Sequence, residues 1–161
     1  CALPISTTAL AKYVLNVSNF SNVSKILYLS GDVGPDYLRC LTLHGFKTTF
    51  GKNCHDYPKI QHIYKDHNIN VSNNGKGYTY TNLLSNDLHD NDFDLSVEQD
   101  IINQHYDIII YGSYHRGMPY YDLVQSYYPS DKILLLCGED LHNCNYSKYI
   151  EKGHHVFVRE L

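Results

Sequence analysis

His115, Glu139 and Asp140 are the side chains of this sequence best placed to move protons, and each follows an apolar run. In Gly112-Ser113-Tyr114-His115-Arg116-Gly117 an imidazole that titrates near neutrality stands beside a guanidinium able to grip a carboxylate or phosphate with two bonds. Gly138-Glu139-Asp140-Leu141-His142 gathers two carboxylates and an imidazole, a set suited to acid–base work or to holding sugar hydroxyls. Asp32, in Ser30-Gly31-Asp32-Val33-Gly34-Pro35, suits a hydroxyl or its own turn, and it would repel a phosphate. Neither GxGxxG nor GxxxxGK(S/T) is present there. Ser113, Arg116, His142 and Arg159 complete the candidate ligand-binding set, with Arg159 placed to offset Glu139 or Asp140 or to meet an anion. The 112–117 knot reads equally as a solvated loop, and Asp140 as a cap for the turn that follows it. No HExxH or CxxC spacing and no GxSxG elbow occurs, so no metal or serine nucleophile is assigned.

The elements that must position these residues are strands. Lys25–Ser30, Tyr106–Tyr111, Lys132–Cys137 and His155–Val158 are the apolar runs that precede the polar knots. Continuous Ile/Leu/Val runs mark parallel strands buried on both faces, and open α/β sheets bind ligands beyond the carboxyl ends of such strands. Helical segments separate them: Gly34-Pro35 opens a helix with Leu38, Leu41 and Leu43 on its apolar side and Gly45 as its stop. Ser96 caps another, and Tyr120–Tyr128 ends at Pro129. Thr48–Phe50 is predicted as a short second strand. The 53–95 stretch reads as an insertion, with turns at Pro58–Lys65 and Asn73-Asn74-Gly75, a small strand at Tyr78–Thr81 and an acidic stretch at Asp87–Asp94. The alternation predicts an α/β, three-layer Rossmann-like or flavodoxin-like domain over 25–161 with a mostly parallel sheet of about five strands. Residues 1–24 are expected to be an extension or linker containing a weakly amphipathic Ala9–Leu15.

Bulk properties narrow the class. A length of 161 residues suits one domain, and a net charge of -4 argues against a nucleic-acid binder. No apolar stretch approaches a membrane span and no signal-peptide pattern opens the chain, so a cytoplasmic location is expected. Five cysteines without a regular framework predict buried free thiols in a reducing compartment. The first residue is Cys and the start is expected to be non-native, with the chain expected to continue past Leu161. Abundant Asn, Tyr, Ile and Lys suggest an AT-rich genome.

Taken in order, His44-Gly45-Phe46-Lys47, Phe50-Gly51, Asp56-Tyr57-Pro58-Lys59, Tyr64-Lys65 and Gly75-Lys76-Gly77-Tyr78-Thr79 resemble a group of glycosyltransferase-like proteins of bacteria and large DNA viruses. The resemblance continues through Tyr106–Ser113, Gly138-Glu139-Asp140 and Phe157-Val158-Arg159-Glu160-Leu161. The chain departs from the pattern at Lys47, Cys137 and Val158, where Arg, Asp and Lys are expected. The resemblance implies the N-terminal, acceptor-side half of a GT-B-like enzyme. A nucleotide sugar would be held mainly by a missing C-terminal domain, and a sugar or glycan acceptor would face this half. His115, Glu139 or Asp140 would then be the base. The alternative is a noncatalytic Rossmann-like module that binds a nucleotide, glycan or protein on the same rim.

Overall fold

The computed structural model describes residues 6–66, 80–139 and 144–159. Five strands, β1 (Ile26–Leu29), β2 (Cys54–Tyr57), β3 (Ile108–Gly112), β4 (Ile133–Cys137) and β5 (His155–Val158), form one all-parallel sheet in the order β2-β1-β3-β4-β5. Strands β1, β3 and β4 are buried at every position, which is why they read as unbroken apolar runs. Side chains alternate between two cores: Ile26 and Tyr28 face one side of the sheet, Leu27 and Leu29 the other.

Helices α1 (Thr7–Val17) and α2 (Tyr37–Phe50) cover the first side. After the single turn α3 (Asn91–Asp94), helices α4 (Val97–Ile102), α5 (Tyr121–Tyr127) and α6 (Ser147–Glu151) cover the second. The domain is therefore α/β and three-layered, with the flavodoxin-like order 2-1-3-4-5. Helix α1 forms around the Ala9–Leu15 stretch read as a short helix and supplies Ala11, Val14 and Leu15 to the core. No helix among the described residues is long and apolar enough to cross a membrane.

Several sequence expectations are corrected. Gly45 does not stop α2: it lies inside the helix because α1 crosses there, and a Cβ would collide with the Thr7 carbonyl. The helix runs on to Phe50 and ends at Gly51, whose φ of +58° suits glycine. Thr48 and Thr49 are helical rather than extended, their hydroxyls donating back to the carbonyls of His44 (2.7 Å) and Gly45 (2.8 Å). The second strand is Cys54–Tyr57, within the stretch read as an insertion. The expected Asn73-Asn74-Gly75 turn and the Tyr78-Thr79 half of the small strand lie outside the described residues, and Tyr80-Thr81 are not a strand.

Cysteine pairing is a further correction. Cys137 and Cys144 form a disulfide across Cα atoms 6.6 Å apart, while Cys40 and Cys54 are buried free thiols. The two cysteines are seven residues apart in sequence, a spacing that matches no recognised framework.

Strand β2 carries polar residues inside the sheet edge because partners reach it from elsewhere. Lys47 Nζ lies 2.8 Å from Asp56 Oδ1 with both side chains 1 % exposed, and Lys47 also donates to the Leu88 carbonyl at 2.9 Å. The Tyr64 hydroxyl donates to Asp56 Oδ1 at 2.7 Å. Burial alone would raise the Asp56 pKa, but His89 and Lys47 outweigh it and hold the carboxyl well below the usual range. Lys47 is thus an internal counter-ion of Asp56.

Candidate functional site

In the order 2-1-3-4-5 the connections turn opposite ways after β1 and β3, so the crevice between their carboxyl ends is the switch point where doubly wound sheets bind ligands. The loops at that crevice are 30–36 and 113–117. They touch: a Cβ on Gly31 would come within 2.5 Å of the Gly117 Cα. Ser30, 1 % exposed at the end of β1, has no hydrogen-bond partner for its Oγ among the described residues.

Arg116 joins the two loops electrostatically. Its Nε lies 3.2 Å from Asp36 Oδ2 and its Nη1 3.5 Å from Asp32 Oδ2. Asp36 is the N-cap of α2 and accepts from the Arg39 N–H at 3.0 Å. Burial opposes its charge, yet the Arg39 N–H and the charges of Arg39 and Arg116 leave its pKa lowered. Asp32 accepts from the Gly34 N–H at 2.8 Å, the main reason its pKa is lowered as well. Beneath the loop, the fully buried Arg39 guanidinium donates to the carbonyls of Asp32 and Gly34, fixing the turn from inside.

Beside this latch His115 and Glu139 come together. Ser113, buried and in the left-handed region at φ 66°, ψ 58°, turns the chain sharply out of β3 into the 114–116 turn. His115 then places Nε2 3.5 Å from Glu139 Oε2 and Nδ1 3.5 Å from Cys137 Sγ. Burial lowers the His115 pKa, the charges of Arg116 and Arg39 add to that, and Asp36 and Glu139 oppose it. The imidazole is therefore neutral at pH 7, able to accept a proton.

Asp32, Ser113, His115, Arg116 and Glu139 thus converge at the carboxyl ends of β1, β3 and β4. Arg159 lies one strand further out. Its N–H donates to the Cys137 carbonyl at 2.9 Å, and the residue lines a cavity of about 190 Å³ with Leu10 and Val14 of α1 and Phe157 of β5. Asp140 and His142 lie outside the described residues. Sequence reasoning missed Asp36, the hub of the latch, and Arg39 below it. An Asp after Pro35 and directly before an amphipathic helix is an N-cap signal that would have found the first.

Comparison of the chain with protein-family models, curated proteins and solved structures gives no match.

Proposed function

We propose that the switch-point rim binds the hydroxyls of a sugar or glycan, and that this chain is the acceptor-side domain of a sugar-transferring enzyme. Convergence supports it: the strand order brings Asp32, Asp36 and Arg116 to one crevice, with His115 and Glu139 beside it. Carboxylates accept hydrogen bonds from hydroxyls, and Arg116 is already bonded to two of them. Such a rim favours neutral, hydroxyl-rich ligands over phosphates. Glu139, with 35 % of its side chain exposed, takes the proton from the acceptor hydroxyl, and the neutral His115 ring receives it. The nucleotide-sugar donor belongs to a second domain in a GT-B-like arrangement.

One observation favours a second reading, a binding module that does no chemistry: both ring nitrogens of His115 face protein groups. Calorimetric titration with neutral oligosaccharides, nucleotide sugars and free nucleoside diphosphates tests the shared part. Saturable binding of a glycan, weakened by Asp32→Asn, is expected. Tight binding of a nucleoside diphosphate with no response to any glycan contradicts both the acceptor role and the neutral-ligand preference. Glu139→Gln in the protein carrying the donor domain separates the two readings: transfer by the parent protein that the variant abolishes with glycan affinity retained supports the enzyme, and absence of transfer by the parent protein supports the module.

A further inference from the structure

At the opposite end of the sheet, below the amino ends of β1, β2 and β3, the fold forms a second, partly open cavity of about 180 Å³. Its inner wall is aromatic. Phe93 lies 5.1 Å from the His55 ring centroid to centroid, and Tyr106 stands edge-on to His105 at 5.2 Å. The polar atoms of this wall are already engaged: His55 Nδ1 meets the Tyr106 hydroxyl at 3.1 Å, and its Nε2 meets Asp94 Oδ1 at 3.1 Å. Burial lowers the His55 pKa and raises that of Tyr106, so a neutral imidazole accepts from a phenol and both rings offer the cavity their apolar surfaces.

The mouth is different. Lys25, Lys52 and Asn53 line it. Lys25 Nζ lies 3.1 Å from His105 Nε2, a contact that uses one of its three hydrogens. The nearby acids are engaged inside the protein. Asp94 holds His55 and His89, and Asp107 accepts from the backbone N–H groups of Ser24 and Lys25 and from the Ser24 hydroxyl. The cavity is therefore an aromatic box with ammonium groups at its entrance, and it shares no residue with the switch-point rim.

A dry cavity of about 150 Å³ accommodates benzene. We infer that this cavity binds a small aromatic carboxylate, its ring packed against the wall formed by Phe93, His55 and Tyr106 and its carboxylate at Lys25 and Lys52. The ring contributes dispersion and apolar burial, and the carboxylate supplies charge-assisted hydrogen bonds. Binding here is independent of the sugar site, so either assignment can fail without the other.

The test is a two-dimensional NMR titration of the whole chain with benzoate, benzyl alcohol and inorganic phosphate. Benzoate is expected to shift the amides of residues 52–53, 93 and 105–106 saturably and to leave 31–36 and 113–117 unmoved. Lys52→Ala, at an exposed position that does not threaten folding, is expected to weaken benzoate about tenfold, as loss of one charge-assisted bond does. Phe93→Ala is expected to abolish binding. Absence of saturable shifts at those amides with benzoate overturns the inference. So does benzyl alcohol binding as tightly, since the charge would then be irrelevant, or phosphate matching benzoate, since the ring would then be irrelevant.

Discussion

Asp56 and Asp94, on opposite faces of the β2 edge, are joined through one imidazole: His89 Nδ1 lies 3.0 Å from Asp56 and Nε2 3.0 Å from Asp94. The Asp94 carboxylate continues to His55 on the second face, so the 84–94 segment is strapped around the free edge of the sheet. An edge strand with unpaired backbone groups invites pairing with other chains, and this strap covers it.

That arrangement sets a pH dependence. Burial opposes a charge on His89, but bonds to Asp56 and Asp94 outweigh it and raise its pKa. A raised folded-state value gives stability that is fully present below the unfolded value of about 6.5 and lost as pH rises through the folded value. His55 and Asp56, both lowered, act in the opposite sense, contributing stability above their unfolded values and losing it toward acid. The difference in unfolding free energy between the parent chain and His89→Gln is therefore expected to be largest below pH 6 and to shrink above it. Urea unfolding at several pH values measures it, and a pH-independent difference contradicts the assignment.

Removing the cation of the buried pair leaves Asp56 charged and only partly satisfied. Lys47→Met is expected to cost about 3–5 kcal/mol. The urea midpoint gives the value, and a cost below about 1 kcal/mol would mean that the pair does not hold Asp56 ionised.

What is legible in the sequence follows from where each partner lies. Strands β1, β3 and β4 announce themselves because their burial is written in their own residues. Strand β2 does not, since Asp56 is satisfied by Tyr64 and His89, 8 and 33 residues away. Gly45 looks like a helix stop until α1 is known to cross it. For the site, Asp32, Ser113, His115, Arg116 and Glu139 are found by the strand-end rule alone. That Arg116 bonds to Asp32 and Asp36 requires the order of the strands, which no local pattern encodes.

Closing a short loop, the Cys137–Cys144 disulfide is expected to contribute roughly 2 kcal/mol by constraining the unfolded chain. Alkylation of the unfolded, unreduced protein followed by mass spectrometry should leave these two cysteines unlabelled while Cys40 and Cys54 react. Labelling of Cys137 and Cys144 without reductant contradicts the pairing. Loss of that stability in Cys144→Ser should be matched by adding reductant to the parent chain.

Gly31 has no room for a side chain against Gly117. Gly31→Ala is expected to push the two switch-point loops apart at a cost of about 1–3 kcal/mol, with the amides of residues 115–117 shifting in the folded protein. An unchanged melting temperature with unmoved amides would show that the loops are not in contact in solution.

The most direct measurement is amide chemical-shift mapping of the intact chain with a panel of neutral mono- and oligosaccharides, with nucleotides as the contrast. If the switch point is a sugar site, a glycan shifts residues 30–36, 113–117 and 138–139 together and saturably, and Asp32→Asn weakens the effect. If the folded chain shows no saturable shift at those residues with any sugar, or responds there to nucleotides alone, the rim is not a sugar-binding site.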